Sequence, residues 1–95
     1  MNQPVNATKM RVIPLQAAAV VEVHKIDLPE RDYFFEPADT NLCIFAGIVN
    51  NGMKSVLVKN KTDKFVKIPR YMRLGQVVEC NLDKGFFMLL GRPSE

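Results

Sequence analysis

Seven cations crowd one stretch of the chain. Lys54, Lys59, Lys61, Lys64, Lys67, Arg70 and Arg73 lie between Asn51 and Gly75 against the single acid Asp63, with Phe65 and Tyr71 interleaved. Ammonium and guanidinium groups at this spacing neutralise phosphates, and rings among them stack on unpaired bases at about 1 to 3 kcal/mol per base. The candidate nucleic-acid contacts are therefore Lys59, Lys61, Lys64, Lys67, Arg70, Tyr71 and Arg73. A plain solvated face explains the same pattern, because lysines on a hairpin guard its edge against stray pairing, and Phe65 can equally pack in a core.

The remaining reactive side chains are sparse. His24 is the only histidine, and no Cys stands near it at ligand spacing, whereas a metal site needs several convergent ligands. The glycines are isolated from one another, so no phosphate-cradling loop exists. Cys43 and Cys80 both sit in apolar stretches, where a free cysteine acts as a small core hydrophobe. Buried thiols in a reducing compartment are expected, hence an intracellular protein, cytoplasmic or nuclear. No catalytic residue, metal or cofactor is expected.

The elements that must hold these residues belong to one small domain. A chain of 95 residues buries only roughly 65% of the surface its unfolded form exposes, so stability should be modest. Hydrophobic residues make up 47% of it, enough for a globular core, yet no apolar run approaches the ~20 residues that span a bilayer. Met1 to Thr8 is polar and lacks the basic-then-apolar order of a secretory signal. The net charge of +3 is unevenly spread, because Asp27 to Asp39 is mostly acidic.

Periodicity predicts strands throughout. Residues 1–9 have no period and include Pro4, suggesting a flexible leader, and Arg11 to Pro14 is a short extended piece. Ala17 to His24 reads as a strand on its β-branched Val20, Val21 and Val23. Pro29 and Pro37 leave room for a short strand over Asp32 to Glu36. Leu42 to Val49 is apolar on both faces, which suits a strand covered on both sides and predicts the central core strand, with Phe45 in its middle.

Asn50-Asn51-Gly52 predicts a type I′ turn joining that strand to Met53–Lys59. Asn60 to Asp63 then predicts a hairpin loop before Lys64–Ile68. Pro69 ends that strand, Leu74–Cys80 follows, and the Asn81–Gly85 turn leads to an apolar strand Phe86–Leu90. One side of this last strand suits a covering chain, so a homo-oligomer is possible. The expected architecture is all-β: a small antiparallel sandwich or barrel of about seven short strands over residues 10–91, with a tail at 92–95.

Val56-Leu57-Val58-Lys59-Asn60, a five-residue spacer, Val66-Lys67-Ile68-Pro69 and then Leu74-Gly75-Gln76-Val77-Val78 together resemble the connector between protease and reverse transcriptase in gypsy-type LTR retrotransposon polyproteins. Val12-Ile13-Pro14, Ala18 to Val23 and Phe35-Glu36-Pro37 resemble that family's opening strands. The resemblance covers about three quarters of the chain. It implies a non-catalytic β-domain whose partners are neighbouring polyprotein domains, nucleic acid (RNA or DNA), or both; another protein is a further candidate partner, and the lack of a spanning apolar run leaves no membrane expected.

The same hairpin is similar to the dUTPase fold, with Gly47-Ile48-Val49-Asn50 and Leu74-Gly75-Gln76 in corresponding places. That reaction needs a carboxylate to activate water, and Asn50 stands where the Asp would be. Asp39-Thr40-Asn41 and Leu89-Leu90-Gly91-Arg92 are similar to the Asp-Thr-Gly and Leu-Gly-Arg steps of retropepsins, but Asn41 replaces the glycine that lets paired aspartates approach. A degenerate hydrolase of either kind, and a nucleic-acid-binding module using Lys59 to Arg73, are the alternatives to an interaction domain.

Overall fold

The computed structural model describes residues 2–79. The expected 81–85 turn, the strand Phe86–Leu90, the 92–95 tail and Cys80 lie outside them. The described residues form nine strands and no helix: β1 (Asn2–Asn6), β2 (Arg11–Ile13), β3 (Ala18–Glu22), β4 (Asp32–Pro37), β5 (Cys43–Ile44), β6 (Gly47–Asn50), β7 (Ser55–Lys59), β8 (Val66–Ile68) and β9 (Arg73–Glu79). They make a four-stranded sheet β1-β9-β4-β6, a three-stranded sheet β3-β7-β5 and a two-stranded ribbon β2-β8, all antiparallel. The fold is all-β, as expected, and these sheets do not close into a barrel.

The topology carries a pseudo-two-fold relation. β1, β2 and β3 pair with β9, β8 and β7 respectively, so two three-stranded units embrace each other in reverse order. Asn6-x-Thr8-Lys9-Met10-x-x-Ile13-Pro14 is matched by Asn60-x-Thr62-Asp63-Lys64-Phe65-x-x-Ile68-Pro69, with Asp63 inserted. Each unit leaves its middle strand through a turn opened by the proline. The Ala17 amide donates to the Pro14 carbonyl at 3.2 Å and the Met72 amide to that of Pro69 at 3.1 Å. The third residue of each turn is left-handed, Gln16 with φ 58° and Tyr71 with φ 72°. Glycine usually occupies that place in a type II turn.

Burial follows the two-residue period of strands. In β3 the buried residues are Ala19 and Val21; in β7 they are Val56 and Val58. They join Val5, Ile13, Tyr33, Phe35, Ile68, Leu74 and Val77 in one core cluster. Gly75 is where backbone approach is tightest, because a Cβ there would meet the Glu36 carbonyl oxygen and come within 2.7 Å of the Phe35 ring. The Leu74-Gly75-Gln76 step therefore lets β4 lie close against β9.

Four expectations are corrected. The leader is not loose: Asn2–Asn6 is β1, paired with β9, and Val5 and Ala7 are buried. Pro4 had argued against a strand, but among the described residues β1 is an edge, where a missing donor costs no ladder bond. Leu42 to Val49 is not one central strand. It is broken at Phe45-Ala46 into β5 and β6, which belong to different sheets, and Phe45 and Ile48 are 43% and 42% exposed. A two-sided apolar run serves a chain that changes sheets as well as a covered strand, and the Phe45 ring lies over Gly47, where a Cβ would sit 2.7 Å from it.

The two hairpins are also absent. A turn forms at Asn51-Gly52, with the Met53 amide on the Asn50 carbonyl at 3.2 Å, but neither central residue is left-handed, so it is not type I′. It joins β6 of one sheet to β7 of another. Asn60 to Asp63 likewise connects β7 to β8, which pair with β3 and β2 and not with each other. Finally, Cys43 is an exposed free thiol rather than a buried one, because the outward face of β5 carries it opposite Lys59.

Candidate functional site

The fold distributes the seven expected contact residues over three places. Lys59 projects from the outer face of β7, in the row Ala18-Lys59-Cys43 of the three-stranded sheet. Lys61 and Lys64 lie in the loop before β8, Lys67 on β8 opposite Val12, and Arg70 and Tyr71 in the turn after it; all are exposed. Arg73 points elsewhere. Its guanidinium donates to the Gln76 Oε1 at 2.9 Å, and Gln76 donates in turn to the Glu36 Oε1 at 2.7 Å. A shallow depression here is lined by Glu36, Pro37, Ala38, Asp39, Arg73, Gly75 and Gln76, so Arg73 sits among acids.

The loop carrying Lys61 and Lys64 is shaped by Asn60, which is fully buried. Its Nδ2 reaches the carbonyls of Ile13 at 3.0 Å, Pro14 at 3.1 Å and Lys64 at 2.7 Å. Its Oδ1 accepts from the Thr62 amide at 2.9 Å, and its own amide donates to the Ala17 carbonyl at 2.8 Å. Gln16 closes the arrangement from the facing turn, donating to the carbonyls of Lys61 and Thr62 at 2.9 and 3.1 Å. A buried amide with every group partnered stiffens the backbone around it. The lysine side chains are thereby held on a fixed support.

Tyr71 is already engaged. Its ring stacks on His24, with centroids 5.7 Å apart and planes 19° from parallel, and the Arg70 guanidinium lies 4.7 Å from its centroid. His24 is thus an exposed structural histidine. A base seeking the Tyr71 ring would compete with these contacts, each worth about 0.5 to 1 kcal/mol at an exposed site. Phe65 is a freer platform at 65% exposure. It was expected to serve either ring stacking or core packing, and the alternation around β8 turns it outward.

Sequence reasoning missed the apolar company of these cations. In the ribbon, Val12 and Lys67 are partners and both face out. Continuing the register one residue past each end sets Met10 beside Pro69 and Pro14 beside Phe65 on the same face, and all four are exposed. The signal was present in the repeated Lys-Met and Lys-Phe steps ahead of each Ile-Pro. A second apolar row, Val20-Leu57-Phe45, crosses the three-stranded sheet, with the Phe45 amide on the Leu57 carbonyl at 3.0 Å.

The motif residues of the hydrolase alternatives have structural employment. The Asn50 Oδ1 accepts from the Gly52 amide at 2.8 Å and forms the turn; the Thr40 Oγ1 accepts from the Leu42 amide at 3.0 Å beside an exposed Asp39. The Leu89 to Arg92 step lies outside the described residues. Among the described residues no group of three or more His, Cys, Asp or Glu side chains converges as metal ligands, and no helix is long and apolar enough to cross a membrane. Compared with known proteins, the chain matches no protein-family model and no curated sequence.

Proposed function

We propose that the chain is a non-catalytic interaction domain derived from an LTR-retrotransposon polyprotein, working against a neighbouring polyprotein domain or another protein inside the cell, in the cytoplasm or nucleus. The observation that carries this reading is how its polar motif residues are spent. Asn50 and Thr40, from the hydrolase-like motifs, each hold a backbone amide, and Asn60 of the connector-like stretch holds backbone amides and carbonyls. Large apolar side chains meanwhile stand exposed on the ribbon. Such side chains suit burial against a partner.

Titrating the labelled chain with a retroelement reverse transcriptase domain tests the reading, alongside light scattering for mass. A saturable complex of defined stoichiometry is expected. Release of pyrophosphate from dUTP dependent on Asp39 or Asp63 would sink it.

A nucleic-acid-binding module is the second reading, favoured by Lys61, Lys64 and Lys67, which have no acidic partner among the described residues, beside an exposed Phe65. It requires affinity for single-stranded RNA that falls steeply with salt and is lost when those three lysines become glutamates.

A further inference from the structure

We infer that the outer face of the β2-β8 ribbon is a docking site for an extended, acidic protein segment with alternating apolar side chains. The inference rests on the interaction-domain reading and names the surface and the chemistry of its partner. The face consists of Met10, Val12, Pro14, Phe65, Lys67 and Pro69, of which Met10, Val12 and Phe65 are 50, 44 and 65% exposed. Its support is rigid, because Asn60 ties the loop entering β8 to the carbonyls leaving β2. A preformed face loses little conformational freedom when it binds.

Charge decides the occupant. Lys61, Lys64 and Arg70 border the face and Lys67 stands within it, with Asp63 the only acid between Lys59 and Arg73. Among the described residues none of these four cations is in an ion pair; Lys9, by contrast, is held 3.2 Å from Glu22. A second copy docked ribbon to ribbon would set these cations against one another, which like-charge repulsion opposes. A nucleic acid would leave the aliphatic centre, Met10, Val12 and the two prolines, against groups that gain nothing from it. An apolar centre with a cationic border matches a protein interface whose partner supplies carboxylates at the rim. Among the described residues the ribbon has two strands and β8 pairs with β2 alone, so an extended segment can lie along it.

The test titrates the isotope-labelled full chain with a peptide alternating glutamate with leucine, valine and phenylalanine. A lysine version of that peptide and a single-stranded oligothymidylate are run in parallel. Saturable amide shifts are expected at Val12, Ile13 and Phe65 to Ile68 with the glutamate peptide alone. Lys67→Glu and Phe65→Ser should each weaken binding about fivefold or more, while Lys59→Glu, on another sheet, leaves it unchanged. Both ribbon residues are exposed, and an undisturbed amide spectrum verifies that each variant folds. Shifts confined to Val20, Leu57 and Phe45 would overturn the placement and leave the interaction-domain reading standing. Binding of oligothymidylate at the ribbon in place of the peptide would overturn both. No binding by any probe, or self-association through the ribbon, would overturn the inference, and the reverse transcriptase titration then judges the broader reading separately.

Discussion

The loops headed by Asn60 and Asn6 occupy equivalent places in the two halves of the fold, and they are built to different standards. Asn60 is buried with both ends of its side chain partnered. Asn6 is half-buried, and its Oδ1 is shut off from solvent with no donor in reach among the described residues. The turns facing the two loops differ in the same sense. The Gln16 side chain clamps the Asn60 loop with two hydrogen bonds, whereas Tyr71 meets the Asn6 loop through its backbone amide alone, on the Ala7 carbonyl at 2.9 Å, and its ring stacks on His24. A repeated sequence thus gives a repeated topology, but one copy puts its side chains into rigidity and the other into an exposed stack. The rigid copy carries the lysines of the proposed docking face.

Asn60→Ala should break this contrast most severely. It takes the Nδ2 donor from the carbonyls of Ile13 and Pro14, while the Lys64 carbonyl keeps the Thr62 hydroxyl as a donor, and about 2 to 4 kcal/mol of stability should be lost in denaturant titration. Asn6→Ala removes an oxygen that has no partner, so its cost should stay below about 1 kcal/mol. Equal losses at the two sites would show that the loops are equivalent after all.

The next effect concerns β9 and its counterpart β3. Gly75→Ala forces a methyl group into the Glu36 carbonyl and the Phe35 ring, and thermal unfolding should register about 2 to 3 kcal/mol of destabilisation. Val20, in the corresponding place on β3, is 52% exposed. Val20→Ala should change stability by about 0.5 kcal/mol or less.

At the left-handed turn residues, Tyr71→Gly should be about 1 kcal/mol more stable than Tyr71→Ala, since both lose the stack and only glycine sheds the backbone strain. At Gln16 the glycine and alanine variants should differ by a similar amount, but both fall below the parent because the clamp on Lys61 and Thr62 is gone. The smallest effect belongs to the Lys9–Glu22 ion pair, whose side chains are 73% and 56% exposed. Lys9→Ala should cost no more than about 0.5 kcal/mol, and added salt should erase the difference.

Strand after strand was legible in the residues, and the site was legible only as a list of cations. β3, β4, β7, β8 and β9 fall where β-branched alternation and bounding prolines put them. β1 was hidden by Pro4, harmless where the strand is an edge, as β1 is among the described residues. The turn at Asn51-Gly52 was recognised, yet its type and its job were not, since an Asn-Gly pair permits a hairpin without requiring one. Of the seven expected contacts, Arg73 left the group because β4 brings Glu36 beside it through Gln76. Lys59 left because β7 and β8 pair with different neighbours.

Side-chain pattern alone determined that this chain is made of short antiparallel strands, that its cations gather between Asn51 and Gly75, and that Pro69 and Leu74-Gly75 punctuate their end. Those properties depend on residues close in sequence, where φ restriction, β-branching and charge act without help. Which strand lies beside which was decided only in three dimensions. Pairing of β1 with β9, β2 with β8 and β3 with β7 joins residues 33 to 76 positions apart, and period-two alternation is blind to the identity of its partner. That pairing placed Val12 opposite Lys67, turned Phe65 to solvent and buried Asn60, and so made a surface out of residues that the sequence keeps apart.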